Sequence, residues 1–295
     1  MTVDVVESPQ LMERTSVWDL VRRMWRSPSG VVGLVIVGSL LLISVLALLG
    51  LTPHPPIQAD STSRFLPPGP DHWFGTDQFG RDVTSRVMQG VLVSMRVAIV
   101  AVAISAFVGS IAGITAGFFG GWPDRIIGRI TDTLFAFPAI LLALTIVAVL
   151  GRGWVNTVIA IAIVYTPIFV RVARGPVLSV RELDYVKSGR VLGYSPPRLL
   201  FRHVLPNVSA PIIVQIALAL SWAILTESSL SFLGLGTQPP EPSLGLMVSE
   251  ARTLFARGWW LMVAPASAIV LAVVGLNLLG DGLRDVLDPT DSHRR

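Results

Sequence analysis

Long apolar runs separated by shorter polar segments set the pattern of this chain. A helix that crosses a bilayer core of about 30 Å needs about 20 apolar residues. Six stretches approach that length, at residues 31–51, 97–119, 133–150, 155–172, 210–235 and 260–279. The pattern therefore predicts an all-α membrane protein with six transmembrane helices.

The polar segments divide the chain around these helices. We predict an N-terminal tail over 1–30, a first transmembrane helix over 31–51 and an extracytoplasmic segment over 52–96. A five-helix core follows over 97–281, with a long cytoplasmic loop at 171–206, and then a C-terminal tail over 282–295. Most of the 23 Lys and Arg residues fall in the two tails and in the loops of one face. Because basic loops stay in the cytoplasm, we expect a multi-pass protein with both termini cytoplasmic.

Composition agrees with this and excludes other classes. The chain is 52% hydrophobic and only 14% charged, whereas soluble domains carry about 25% charged residues. Its net charge of +4 does not indicate nucleic-acid binding, because the basic residues lie in the gaps between apolar runs. The absence of cysteine excludes disulfides and thiol chemistry.

The loop at 171–206 carries ordered helix signals. Its first part, RELDYVKSGRVLG, predicts a short helix that stops at Gly193. Ser195 is then a predicted N-cap, Pro196 the first helical residue, and Pro206 the end of a second helix. Such a helix pair fits an amphipathic hairpin on the lipid surface or a docking site for a cytoplasmic partner, and the pattern does not choose between them.

The stretch DYVKSGRVLGYSPPRLLFRHVLPN resembles the coupling loop of ATP-binding-cassette (ABC) importer permeases. That family has Glu-Ala-Ala, three residues, Gly, nine residues, an Ile, any residue, and Leu-Pro. Here the Gly, Leu and Pro match, whereas the acidic triplet and the Ile are replaced. Asp184 and Glu182 lie one turn earlier and offer an acid in place of the missing one. The resemblance implies a site for ATPase coupling at Asp184, Lys187, Ser188, Gly189, Gly193, His203, Leu205 and Pro206.

Three further stretches resemble the peptide and nickel branch of that family: HWFGTDQFGRDVTSRVMQG, LTESSLSFLGLGTQPPEPSLGLMVSEAR and NLLGDGLRDVLDP. The resemblance implies a type I ABC importer permease fold and a C-type permease for dipeptides or oligopeptides in a bacterial inner membrane. Haem, nickel and glutathione are the family alternatives. It also implies a heterodimer with a homologous second permease, two ATP-binding subunits and an extracytoplasmic substrate-binding protein. This chain itself would bind no cofactor, since ATP and Mg²⁺ would belong to the ATPase subunits.

Two polar clusters are candidate functional residues. Outside the membrane, the motif residues are Gly75, Asp77, Gly80, Arg81 and Asp82. They would form either a surface for a binding protein or a structured cap in which Arg81 holds a carboxylate. Within the fifth span, Glu227 is followed by Ser228 and Ser231. A carboxylate at membrane depth is costly unless it meets a cavity or donors, so these residues line a translocation path or make a structural hydrogen bond near a helix end.

We find no catalytic constellation. Val186 precedes the only lysine, Lys187, so the Gly-Lys-Ser/Thr of a phosphate loop is absent. The histidines are scattered, His72 is interpreted as structural, and no metal site is predicted. An ion-driven secondary transporter would carry ionisable residues in several spans, but only Glu227 is clearly intramembrane, so the ABC permease is favoured.

Overall fold

The fold is built almost entirely from α-helices. The structure, a computed structural model, describes residues 24–25 and 27–287. Most of the predicted N-terminal tail, and residues 288–295 of the predicted C-terminal tail, lie outside the described residues. In chain order the helices are α1 Pro28–Leu48, α2 Val83–Phe119, α3 Gly121–Phe135, α4 Ala139–Leu150, α5 Trp154–Val180, α6 Asp184–Val191, α7 Pro196–Leu199, a π-helical turn Leu200–Val204, α8 Leu205–Phe232, α9 Leu244–Ala251 and α10 Trp260–Leu287.

Five helical runs are long and apolar enough to cross a bilayer. They are α1, α2, α5, the continuous run from α7 to α8, and α10. A sixth span arises only if α3 and α4, which meet at 94°, are taken together. The prediction of one span over 133–150 is therefore corrected. With 12 residues, α4 is about 18 Å long, too short to cross the core alone.

The bend between α3 and α4 has a local cause at Pro138. A proline has no N–H for the helical ladder, and its ring drives the preceding residue out of the helical region. Pro138 itself has an extended ψ of 127°. Because α3 also carries polar residues, its average hydropathy is low, and the sequence pattern did not assign its apolar face to a span.

Three helices extend beyond their apolar runs. Within the predicted extracytoplasmic segment, α2 begins at Val83, with Asp82 as its N-cap and the Ser85 N–H donating to that carboxylate. Likewise α5 continues to Val180 and α10 to Leu287, beyond the apolar runs that end at 172 and 279. Hydropathy marks where lipid ends, whereas backbone hydrogen bonds carry a helix on into water.

Glycines allow α2 and α5 to pack closely. Gly109, Gly113 and Gly117 form a stripe on α2 that faces α5. A Cβ added at Gly109 would lie 2.6 Å from the Phe169 Cβ, and one at Gly117 would lie 2.9 Å from the Val177 Cγ1. The small-residue stripe therefore serves packing within this chain.

The first helix packs along the last one. A Cβ added at Gly33 of α1 would lie 2.5 Å from the Leu279 nitrogen, and one at Gly275 of α10 would lie 2.5 Å from the Ile36 Cγ2. Because both helices supply a glycine, their backbones approach closely. α1 is thus part of the helix bundle.

A short helix, α9, follows the fifth span and was not predicted. Ser243 caps it by accepting a hydrogen bond from the Leu246 N–H at 3.4 Å. Leu244 is buried, and a Cβ added at Gly245 would meet the Ser228 carbonyl. α9 is therefore held against α8, and it brings Glu250 to the beginning of α2.

Candidate functional site

The segment that resembles a coupling loop forms a compact element, residues 181–206, which we call the coupling element. The predicted first helix is confirmed as α6, and it ends just before Gly193. Gly193 has a φ of +76°, a left-handed conformation that favours glycine. Its N–H donates to the Arg190 carbonyl at 3.0 Å, and the Tyr194 N–H donates to the Gly189 carbonyl at 3.0 Å. These bonds close the end of the helix.

The second helix begins as predicted but does not end where predicted. Pro196 is its first residue, and the preceding Ser195 is extended without a side-chain capping bond. The prediction that the helix ends by Pro206 is wrong, because the chain runs through a π-helical turn directly into α8. The Leu205 N–H donates to the carbonyl of Leu200, five residues back. This wider turn makes room for the ring of Pro206, which would clash in a regular α-helix.

Apolar side chains anchor the coupling element to the ends of α2 and α5. Val186, Leu199 and Val204 are fully or almost fully buried in one cluster that includes Phe118 and Val177. Within the element, a Cβ added at Gly189 would lie 2.8 Å from the Leu199 Cδ2. The glycine that stands in the family's triplet therefore lets the two short helices touch.

Arginines tie the same helix ends together. Arg174 binds Asp124 through two hydrogen bonds of 2.6 and 2.8 Å, which joins α5 to α3. Arg181 donates to the Gly117 carbonyl at 2.6 Å, which joins the end of α5 to the end of α2. These bonds would therefore transmit a displacement of the coupling element to α2, α3 and α5.

The basic residue at the family's acidic position is paired. The Lys187 Nζ lies 3.3 Å from a Glu182 carboxylate oxygen, and Arg181 lies 3.2 Å from the other. Hydrogen bonding to Lys187 holds the pKa of Glu182 below its usual range. Of the two acids predicted to replace the family's acid, Glu182 is therefore already paired within the element. The other, Asp184, is exposed in the first turn of α6.

His203 and the Leu-Pro pair lie at the junction with α8. The Asn207 side-chain amide donates to the His203 carbonyl at 2.6 Å and to the Tyr185 hydroxyl at 3.2 Å. Leu205 is half-buried and Pro206 is exposed. These contacts join α6 to α8 across the π-helical turn.

Three large apolar side chains of the coupling element point away from its anchored face. Val191 is 88% exposed, Leu192 70% and Phe201 72%. Sequence reasoning missed them because family motif spacing drew attention to other positions. The available signal was helical periodicity, which places these three residues on the side of the element opposite Val186 and Leu199. Together with the exposed Ser188, they give the element an apolar outer surface, a feature typical of interaction sites.

The predicted path residues form a closed cluster. Glu227 and Ser231 are fully buried and Ser228 almost so. The Ser231 hydroxyl donates to the Glu227 carboxylate at 2.7 Å, and the Ser228 hydroxyl lies 3.5 Å from its other oxygen. This arrangement favours the structural interpretation, and a role in a translocation path stays a prediction.

The motif outside the membrane forms a buried charge cluster. Arg81 donates to Asp77 at 2.6 Å, and Arg86 lies 3.5 Å from the same carboxylate oxygen. Glu250 of α9 lies 3.3 Å from Arg86 and 3.7 Å from Arg81. Two arginines thus share two carboxylates, as the structured-cap interpretation requires, and Glu250 is a member that the sequence did not reveal.

The glycines of that motif allow its turns. Gly75 and Gly80 have φ values of +70° and +75°, and a Cβ added at Gly80 would collide with the Asp60 carbonyl. The residues from 52 to 82 form a segment, here called the cap segment, that folds on itself through such contacts. Asp82 closes it by capping α2.

The prediction of scattered histidines is wrong for two of them. His54 and His72 have ring centroids 4.6 Å apart, and both face Asp82. The intervening chain folds back through the turns of the cap segment, which residue spacing alone did not indicate.

Comparison with known proteins identifies the family. The family described as binding-protein-dependent transport system inner membrane component matches residues 109–290. The N-terminal transmembrane domain of oligopeptide transport permease C matches residues 16–68.

Relatives match along most of the chain. It is 42% identical to the dipeptide transport system permease protein DppC of Alkalihalophilus pseudofirmus over 268 residues, which cover 91% of this chain and 88% of that protein. It is 41% identical to a probable D,D-dipeptide transport system permease protein, DdpC, of Escherichia coli, covering 95% and 94%. A glutathione transport system permease protein, GsiD, of Pectobacterium atrosepticum is 45% identical and covers 75% and 74%.

A solved structure shares the fold. It is an inward-facing form of the MetNI methionine ABC transporter, with a TM-score of 0.56, 15% identity, and coverage of 68% of this chain and 96% of that chain. The predicted all-α ABC importer permease fold is confirmed. With its helical spans, its coupling element and these relatives, the chain belongs to the family of inner membrane components of binding-protein-dependent transport systems.

Proposed function

We propose that this chain is the C-type permease subunit of an ATP-driven importer of dipeptides or oligopeptides. It would form half of a translocation path with a homologous second permease. Two ATP-binding subunits would bind and hydrolyse ATP with Mg²⁺, and this chain would bind neither. An extracytoplasmic binding protein would deliver the substrate. The relatives that transport dipeptides support this substrate class.

The coupling element carries the proposal. It is anchored on one side by Val186 and Leu199, and it presents Val191, Leu192 and Phe201 on the other. A hairpin that merely rested on lipid would also expose apolar side chains. However, an element that transmits force must in addition be rigidly joined to the spans, and the Arg181 bond to α2 and the direct continuation into α8 supply that connection.

The proposed movement follows from this geometry. When the ATPase subunits close on ATP, they would displace the coupling element through its exposed apolar residues. Since α7, the π-helical turn and α8 form one run from Pro196 to Phe232, the displacement would pass directly into a membrane-spanning helix. The cluster with Phe118 and Val177 would carry it into α2 and α5.

Orientation is part of the proposal. The coupling element would lie in the cytoplasm and the cap segment outside, in a bacterial inner membrane with both termini cytoplasmic. The excess of Lys and Arg on the face of the coupling element supports this orientation.

The experiment uses the complete transporter reconstituted in lipid. Phe201→Ala should lower both co-purification of the ATPase subunits and ATP-dependent uptake by at least about tenfold, the range of a buried aromatic anchor. The matched control is Phe255→Ala, since Phe255 is also an exposed phenylalanine, at 51% against 72% for Phe201, but lies near the opposite end of the bundle. Undiminished assembly and uptake in Phe201→Ala would contradict the coupling assignment.

Glutathione is the second candidate substrate, because a relative named for its transport is 45% identical. Competition between labelled dipeptide and unlabelled glutathione for uptake distinguishes the two. Dipeptide uptake that glutathione leaves unchanged supports the peptide assignment. Uptake of glutathione alone would replace it, and uptake that continues without ATP would indicate an ion-driven transporter.

A further inference from the structure

Two histidines and an aspartate meet at the junction between the cap segment and α2. The His72 Nδ1 lies 2.9 Å from the Asp82 Oδ1, and the His54 Nδ1 lies 3.9 Å from the same oxygen. One ligand atom from each of the three lies within 4.8 Å of the others. The three residues come from separate parts of the sequence, so only the fold brings them together.

The His54 Nδ1 is the anomalous atom of this group. It is inaccessible to solvent and has no hydrogen-bond partner among the described residues, although the side chain is 42% exposed as a whole. A buried ring nitrogen without a partner is costly. Because it faces a carboxylate oxygen that already bonds His72, a cation between the three atoms would satisfy all of them.

The separations suit a small tetrahedral cation. Zn²⁺ binds imidazole nitrogen and carboxylate oxygen at about 2.0–2.2 Å, which places two ligands of a tetrahedral ion about 3.3 Å apart. The two nitrogen-to-oxygen separations of 2.9 and 3.9 Å bracket that value. Small side-chain rotations would therefore complete three ligands, and water would take the fourth position.

A second layer of contacts holds the ligands in place. The Ser85 N–H and hydroxyl donate to the other Asp82 oxygen at 2.7 and 2.8 Å. The Ser85 hydroxyl also accepts a hydrogen bond from the backbone N–H of His54 at 3.0 Å. Ser85 is fully buried, so one side chain orients the Asp82 carboxylate, as supporting residues do at metal sites, and fixes the backbone from which His54 extends.

The local charges permit a cation. The beginning of α2 carries a partial positive charge of about half an elementary unit, which the full negative charge of Asp82 outweighs. The nearby guanidinium groups of Arg81 and Arg86 are paired with Asp77 and Glu250. An open cavity of about 280 Å³ lies beside His54 and is lined in part by Thr52 and Gln89, so a rotation of the exposed His54 ring would open the site to water and ions.

We propose that His54, His72 and Asp82 form a binding site for a divalent transition-metal cation, with Zn²⁺ as the best fit and Ni²⁺ or Co²⁺ as substitutes. The ion would replace the hydrogen between the His72 Nδ1 and Asp82, and the neutral imidazole would carry its hydrogen on Nε2. The ion would join the chain after α1, the middle of the cap segment and the start of α2. The site does not depend on the proposed transport function.

The test uses the complete transporter in lipid nanodiscs, purified through an affinity tag without histidine and stripped of metal by a chelator. Co²⁺ is added to record its visible absorption, and Zn²⁺ is then titrated to displace it. We expect one equivalent of Co²⁺ per chain with a spectrum of low coordination number. His54→Gln, which alters a partly exposed side chain, should weaken Zn²⁺ binding by at least about tenfold.

Two further variants keep the result interpretable. Asp82→Asn retains an N-cap for α2 and should also lose binding, whereas His203→Gln, at the other end of the bundle, should bind as the unchanged protein does. Added Zn²⁺ should raise the melting temperature of the unchanged protein and of His203→Gln but not that of His54→Gln. Equal Zn²⁺ affinity in His54→Gln and the unchanged protein, or no binding at micromolar Zn²⁺, would overturn the proposal.

Discussion

The cap segment and the coupling element are held on the helix bundle by different kinds of contact. Both are short stretches outside the apolar spans that must be held on the ends of transmembrane helices. The cap segment is held by buried charge and hydrogen bonds, with Asp77, Arg81 and Arg86 at its centre. The coupling element is held mainly by apolar contacts of Val186 and Leu199 and exposes apolar residues on its other side.

This difference in contacts indicates that the two regions have different mechanical roles. A cluster of paired charges that is largely buried favours one arrangement, because a displacement that separates a pair leaves a buried charge unpaired. The coupling element is instead joined to the ends of α2 and α5 by an apolar cluster and an arginine link, so a displacement of the element would pass into those helices. The cap segment is therefore a fixed closure of the bundle, and the coupling element fits the movement proposed above.

The largest effect is expected from breaking the charge cluster. Asp77→Ala removes the more buried of the two carboxylates that Arg81 and Arg86 share, and loss of one partner of a buried ion pair costs about 3–5 kcal/mol. Chemical denaturation of the purified complex should show this loss of stability. The matched control is Asp60→Ala, because Asp60 is exposed and bonds only local groups. Similar stability for both variants would contradict the role of buried charge in holding the cap segment.

A pair of leucines in the coupling element separates anchoring from partner binding. Leu199→Ala removes a buried side chain and should cost about 2–5 kcal/mol, visible as lower thermal stability. Leu192→Ala alters a side chain that is 70% exposed and should leave stability nearly unchanged while weakening ATPase association. If Leu192→Ala is the more unstable variant, the assignment of inner and outer faces is wrong.

The smallest effect tests the turn between the two short helices. Gly193→Ala places a Cβ in a left-handed conformation at a cost of about 1–2 kcal/mol. No neighbouring atom lies within 4 Å of that Cβ, so only backbone strain contributes. Gly128→Ala, inside α3 and equally free of neighbours, should be neutral or stabilising by up to about 1 kcal/mol. Thermal unfolding of the two variants should shift in different directions, and equal shifts would contradict this account.

Much of the fold followed from the sequence because lipid acts as a uniform solvent. Apolar runs located the five spans that are single helical runs, and Gly193 and Pro196 located the break between the two coupling helices. The errors have two causes. Hydropathy does not record backbone hydrogen bonding, so it missed the start of α2 at Val83. The rule that proline ends a helix assumes a regular α-helix, so it missed the π-helical turn that carries the chain through Pro206.

The sequence also revealed only some of the candidate site residues. Motif spacing found Gly189 and Gly193, but only packing showed that one permits helix contact and the other a left-handed turn. Val191, Leu192 and Phe201 were missed, since exposure depends on which face of the element is anchored.

The sequence by itself determined that this chain spans a membrane, where its helices lie and which segment links the fourth and fifth spans. These properties depend on local composition and on residues close in the chain. The tertiary structure alone decided that Glu250 completes the charge cluster and that His54 meets His72 at Asp82. Such contacts join residues far apart in sequence, and their energies depend on burial and distance, which exist only once the helices have packed.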